Sequence, residues 1–106
     1  MPAQVLYLTT IGRKSGLPRE IEIWFVEWKG KLYLLAEKFR EAHWVQNIEA
    51  HEEVKVRLDG REMRARARVL DPERDRAAWE RAQKLGWEKY GWGEGLPVEI
   101  VPETGP

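Results

Sequence analysis

The run Thr9-Thr10-Ile11-Gly12-Arg13-Lys14-Ser15-Gly16-Leu17-Pro18-Arg19 sets two glycines, two adjacent cations and a hydroxyl between two apolar stretches. Glycine lets backbone N–H groups turn toward a ligand, Arg13 and Lys14 supply charge, and Ser15 offers a short hydrogen bond. That is the chemistry of an anion cradle, and a phosphate suits it. The competing reading is a solvated basic hairpin loop whose glycines serve only the turn. A Walker A loop is excluded, because it needs Gly-Lys-Ser/Thr in direct succession and here Gly16 follows Lys14-Ser15. Hydrolysis of a nucleoside triphosphate is therefore disfavoured.

Other chemistries are bounded by composition. The 106 residues suit a single domain spanning 1–106, and 18 Lys plus Arg balance 18 Asp plus Glu, so any anion site has to be local. With no cysteine there is no disulfide, thiol catalysis or thiolate-bound metal. His43 and His51 lack the i, i+4 spacing of a helical metal pair, and no metal is expected. The chain runs directly into Val5-Leu6-Tyr7-Leu8 without a basic start or cleavage site, and no apolar run approaches the roughly 20 residues of a membrane span. A cytoplasmic location is the expectation. One Asn, three Gln and two Met beside 34% charged residues follow thermophile usage, which implies a melting temperature above the mesophile range.

The loop needs elements to hold it. Val5 to Ile11 reads as a first strand and Arg19 to Trp28 as a second, with Ile21, Ile23 and Phe25 alternating against Glu20, Glu22 and Trp24. Lys29-Gly30 turns the chain into a third strand, Lys31 to Glu37. Between Glu41 and Glu53 the period changes to that of a short helix with Trp44 and Ile48 on one face, ending near His51. His43 and His51 flank this helix at the surface, Trp44 packs in the core, and Asn47 bonds nearby backbone. Val54 to Leu58 and Met63 to Val69 form a hairpin about Asp59-Gly60. Asp71-Pro72-Glu73 begins a second helix, Asp71 as N-cap, with Ala78, Trp79, Ala82 and Leu85 inward and Gly86 ending it. An irregular stretch rich in glycine and aromatics precedes a last strand from Pro97 to Val101. About six antiparallel strands and two helices make a mainly β barrel.

Set in this order, the loop, the Trp44-Val45-Gln46-Asn47-Ile48 helix and the Asp71-Pro72-Glu73 helix start resemble the deazaflavin-dependent nitroreductase and quinone reductase family. The Thr-Thr-x-Gly-Arg-Lys-Ser-Gly-x-x-Arg string is the most specific part, and the likeness covers nearly the whole chain. It implies a split β-barrel related to FMN-binding proteins. In that fold a reduced deazaflavin (coenzyme F-420) or FMN passes hydride to a nitro compound, quinone or similar acceptor. By the same resemblance Arg13, Lys14, Ser15 and Gly16 hold the cofactor phosphate and Lys38 reaches its acidic end. Trp87 and Tyr90 face the substrate, with the Tyr90 phenol as hydrogen-bond donor, and the chain forms a homodimer. Few catalytic side chains are expected, since the cofactor ring carries the hydride.

Two rivals stay open at this level. A non-catalytic flavin carrier needs the same phosphate loop. A nucleic-acid binder is suggested by Lys55, Arg57, Arg64, Arg66 and Arg68, five cations on adjacent strands with aromatics nearby. Acidic neighbours such as Glu20, Glu22 and Glu62 are available to pair with those cations, so a solvated outer face and weak nucleic-acid binding are the expectation.

Overall fold

Alternation of large apolar residues with small or polar ones builds β1 (Val5–Ile11), which buries Leu6, Leu8 and Thr10 on one face. The structure is a computed structural model describing residues 4–103. β1 pairs antiparallel with β2 (Pro18–Trp24) from Val5↔Trp24 to Ile11↔Pro18, so the cation-bearing loop is the connection of a long hairpin.

The second strand does not run unbroken from Arg19 to Trp28. It stops at Trp24, and after Phe25 the chain resumes as β3 (Val26–Trp28). The remaining strands are β4 (Lys31–Ala36), β5 (Glu53–Leu58), β6 (Arg61–Val69) and β7 (Leu96–Pro102), and the sheet order is β2-β1-β5-β6-β7-β4-β3. β2 and β3 are thus the two ends of one seven-stranded sheet, yet one residue joins them. Two residue steps span at most about 7 Å, so the sheet has to curl until its edges nearly meet. This is a split barrel, and the break at Phe25 raises the count from about six strands to seven. All pairings are antiparallel.

Both expected two-residue turns are present. Lys29 and Gly30 have φ of 49° and 78°, and Asp59 and Gly60 have 52° and 77°, the double left-handed backbone of a mirror-image hairpin turn.

The barrel interior holds Leu6, Leu8, Leu34, Val56, Val98 and Ile100 among others, and α1 (His43–Ala50) adds Val45 and Ile48 to that cluster. A 3-10 turn, Phe39–Glu41, leads into α1. The side chains of β4 alternate between two apolar surroundings: Leu32 and Leu34 point into the barrel, while Tyr33 and Leu35 meet α2 (Arg76–Tyr90) outside it. Such double cover explains why Lys31 to Ala36 and Leu96 to Ile100 read as nearly continuous apolar runs.

The second helix differs from expectation at both ends. Asp71 Oδ1 accepts the N–H groups of Glu73 and Arg74 at 2.8 and 2.9 Å, but it caps a separate turn. The helix begins at Arg76 with Asp75 at the N-cap position. Gly86 does not end the helix. It lies inside, where a Cβ would come within 2.6 Å of Leu35 Cδ1 and 2.9 Å of Trp92 O, so the residue is a point of close approach to β4. The true stop is Gly91, with φ of 75° and its N–H bonded to Trp87 O at 3.0 Å. Ala82 is buried, and Ala78, Trp79 and Leu85 pack beside it as expected.

Candidate functional site

The β1–β2 loop closes on itself. Gly12 donates to Leu17 O and Gly16 to Gly12 O, each at 2.8 Å, and Gly16 has φ of 71°, the left-handed region that favours glycine. Leu17 N–H bonds Ser15 Oγ at 3.2 Å, which leaves the hydroxyl proton of Ser15 free to donate. The backbone N–H groups of Lys14 and Ser15 have no partner among the described residues. Two amides without a partner among the described residues, a hydroxyl and two cations thus belong to one six-residue loop.

Asn47 of α1 holds this loop from behind. Its Oδ1 accepts Arg13 N at 3.1 Å and Arg13 Nη1 at 3.0 Å, and its Nδ2 donates to Thr10 Oγ1 at 3.1 Å. Asn47 and Thr10 are both buried. The sequence reading placed Asn47 on nearby backbone; it does bond backbone, but 34 residues away and together with a side chain. A single buried polar residue on an apolar helix face was the signal available for this partnership.

A cleft of about 830 Å³ lies over the loop, lined by Thr10, Gly12, Arg13, Lys14, Ser15 and Arg19 among others. A second cleft of about 890 Å³ adjoins it along the seam of the barrel, where Trp24, Phe25, Lys38, Tyr90 and Trp92 form part of the wall. His43 and Trp44 line both. Trp44 therefore packs against the core cluster, as expected, and also forms a wall shared by the two clefts. Among the described residues no carboxylate pairs with Arg13, Lys14, Arg19 or Lys38.

The structure places the other sequence-selected residues as follows. Gly16 sits in the loop with Arg13, Lys14 and Ser15, whereas Lys38 lies in the larger cleft, just beyond β4. Tyr90 lines that larger cleft and stacks on Trp24, ring centroids 4.4 Å apart and planes 6° from parallel. Its hydroxyl accepts Phe25 N–H at 3.0 Å and lies 2.6 Å from Gln4 O and 2.7 Å from Phe25 O, so its one proton already has carbonyl partners. Lys89 Nζ donates to the same Phe25 carbonyl at 2.9 Å. These two side chains satisfy the backbone left unpaired where β2 ends and β3 begins, a role the sequence did not suggest. Trp87 is 48% exposed on α2 and lines neither cleft. Trp92, which the sequence left between covering the barrel end and contacting substrate, lines the larger cleft, and so does Trp24, whose signal was an outward strand position.

The five cations of β5 and β6 lie on the exposed side of the sheet and are largely paired. Arg57 meets Glu20 at 3.3 Å, Arg66 meets Glu52 at 2.9 Å and Glu103 at 3.6 Å, and Arg68 meets Asp75 at 2.8 Å and Glu99 at 3.3 Å. Glu99 is buried and also accepts the Tyr33 hydroxyl at 3.0 Å. Burial, then that hydrogen bond, pushes the Tyr33 phenol up to about 12, so it stays protonated across the ordinary pH range. Arg68 holds the Asp75 carboxyl below its usual range, and backbone N–H groups of Arg74 and Glu73 do the same for Asp71. Among the described residues no cluster of His, Asp or Glu could hold a metal ion, and no helix is long and apolar enough to cross a membrane.

A curled antiparallel sheet split at one edge, with an anion-receptive loop on its first hairpin, belongs to the split β-barrels, and flavin-binding members share this shape. The chain belongs to the F420H(2)-dependent quinone reductase family, whose model matches residues 1–100. Among solved structures it is similar to an F420-H2 dependent reductase (FDR-A), at 28% identity over 97% of this chain and 96% of that one, with a TM-score of 0.70. It is also similar to a chain described as a domain-swapped dimer, at 25% identity over 97% and 82% of the two chains, TM-score 0.65. An FAD-binding protein of Mesorhizobium loti shares the fold at 16% identity over 96% and 83%, TM-score 0.72. No match was found among functionally curated proteins.

Proposed function

We propose that this chain, as one domain spanning residues 1–106, is an oxidoreductase that uses reduced coenzyme F-420 to reduce a quinone, nitro compound or similar acceptor. The observation that carries the reading is the β1–β2 loop, where among the described residues Arg13 and Lys14 have no carboxylate partner and the N–H groups of Lys14 and Ser15 no acceptor. Such a donor set fits a phosphate: two cations neutralise it, backbone amides and a hydroxyl bond its oxygens, and Gly16 supplies the left-handed turn. The family match supports the deazaflavin over FMN as the bound donor.

When bound, the deazaflavin supplies the hydride. The chain's own residues bind and orient. Arg13, Lys14, Ser15 and Gly16 take the phosphate, and Lys38, in the adjoining cleft, takes the acidic end. Trp44, shared by both clefts, stands between the phosphate loop and the cleft that holds Lys38 and the aromatic residues. Tyr90 and Trp24 present a stacked aromatic wall to a planar acceptor. The Tyr90 hydroxyl serves as donor to an acceptor oxygen by exchanging its Gln4 carbonyl partner for that oxygen, which keeps the Phe25 N–H bond in place. Trp87, exposed on α2 and outside both clefts, is left out of the site. A homodimer in the cytoplasm completes the reading, with the domain-swapped dimer as the supporting relative.

The test is oxidation of reduced F-420 by a simple quinone or a nitroaromatic, followed by the deazaflavin absorbance. Protein-dependent turnover is expected. Saturable binding without turnover makes the chain a carrier, and binding of FMN alone replaces the donor.

A further inference from the structure

The geometry points to Asn47 as the positioning residue that aims Arg13 at a bound anion without neutralising it, an inference that rests on the loop being the phosphate site. Three facts converge. Asn47 is buried, with 5% exposure, so its bonds are made out of water and fix direction. Its orientation is set by its partners: Arg13 N and Nη1 are both donors, so the amide oxygen has to face them and Nδ2 has to face Thr10 Oγ1. Asn47 also bonds the backbone and the guanidinium of the same arginine, which ties the path of the loop to the aim of its side chain.

The choice of amide over carboxylate is the informative part. An aspartate at 47 satisfies every partner, since one oxygen accepts from Arg13 and the Thr10 hydroxyl rotates to donate to the other. Shape and hydrogen bonding would survive. What changes is charge: a buried carboxylate against the guanidinium neutralises it, as Glu20, Glu52 and Asp75 do for the strand arginines. An uncharged acceptor is the group that orients a cation and leaves its charge to an incoming anion. Asn47 acts through Arg13: its Oδ1 is taken by two Arg13 donors and one Nδ2 proton by the buried Thr10 hydroxyl, and whether the second Nδ2 proton also reaches the anion is what the Arg13→Ala background decides.

The experiment compares wild type, Asn47→Asp, Asn47→Ala, Arg13→Ala and the Arg13→Ala/Asn47→Ala double variant. Two probes are used: inorganic phosphate, followed by the amide NMR shifts of Gly12 to Gly16, and F-420, followed by tryptophan fluorescence. Asn47→Asp is expected to weaken both by about tenfold or more, a charged hydrogen bond's worth, with its melting temperature close to wild type and the acceptor KM unchanged. Asn47→Ala is expected to weaken both in the wild-type background and to add little once Arg13 is gone. An unchanged affinity in Asn47→Asp overturns the proposal, as does an equal loss from Asn47→Ala in both backgrounds, which makes Asn47 a direct ligand. A lowered melting temperature at unaltered affinity makes it purely structural and also overturns it. Wild type that binds phosphate but not F-420 removes the functional reading alone and leaves the phosphate arm to decide on Asn47; binding of neither removes both.

Discussion

One group of cations sits on β5 and β6 and another in the loop of the adjoining β1–β2 hairpin, and they differ in what neutralises them. On β5 and β6, Arg57, Arg66 and Arg68 face the carboxylates of Glu20, Glu52, Glu103, Asp75 and Glu99. In the β1–β2 loop, Arg13 is oriented by an uncharged amide, and Lys14 has no carboxylate partner among the described residues. Lys55 and Arg64, paired across the β5–β6 ladder, are also without one, but strand backbone there is occupied by the sheet and adds no free donors. Exposed ion pairs contribute only about 0–1 kcal/mol each to folding, so the paired set chiefly keeps the outer face solvated. The loop combines uncompensated charge with unpaired amides. A count of cations therefore does not locate an anion site; uncompensated charge beside unpaired backbone amides does.

The largest effect expected from breaking this contrast is in the loop. Replacing Arg13 and Lys14 together by alanine is expected to lower F-420 affinity by about a hundredfold or more, since each charged hydrogen bond is worth about 1.5–3 kcal/mol. The urea midpoint should barely move. A fluorescence titration and an unfolding curve on the same variant check both halves. The opposite pattern is expected at the ladder's most buried contact. Arg68→Ala leaves Glu99 with Tyr33 and a distant Lys31 at 3.8 Å, at a cost of about 1–2 kcal/mol once the half-exposed guanidinium is discounted for screening. Cofactor affinity in Arg68→Ala should match wild type.

pH sharpens the contrast further. Tyr33 is raised to about 12 by burial and by Glu99. The protonated phenol is thus favoured in the fold, its contribution is complete below about 10, and it is lost as pH climbs from 10 toward 12. Tyr33→Phe should flatten that alkaline decline in a stability–pH series. Asp71 and Asp75 are shifted the other way, so what they contribute is present above the ordinary carboxylate value and fades as pH falls below it. The smallest signal should come from single-stranded DNA: the ladder, largely paired, is expected to bind it weakly at physiological salt, with a shallow salt slope in a filter-binding or anisotropy series.

Much of this was legible in the sequence because local rules agreed with the fold. The Asp59-Gly60 and Lys29-Gly30 turns and the alternation in β1, β5 and β6 needed no tertiary information, and the loop's composition announced an anion. The rest depended on contacts distant in sequence. Phe25 continues the alternation of its strand, and nothing local marks it as the break; its backbone is released because Tyr90 and Lys89, some 65 residues away, supply the missing bonds. Gly86 looks like a helix stop and is a packing point for Leu35, a distinction visible only once β4 lies beneath α2. Asn47's partnership with Arg13 spans the same kind of distance. Trp87's role rests on the family resemblance, in a stretch that reads as irregular, and the continuation of α2 to Tyr90 turns it to the exposed side.

The central claim is that uncompensated cations beside unpaired amides, and not cations as such, define the cofactor site. Its most direct test is parallel calorimetric titration of F-420 into Arg13→Gln/Lys14→Gln and into Arg57→Gln/Arg66→Gln, which remove the same charge from the two regions. A large loss of affinity in the loop variant with wild-type affinity in the strand variant is the predicted result. Equal losses, or a loss confined to the strand variant, would contradict the account.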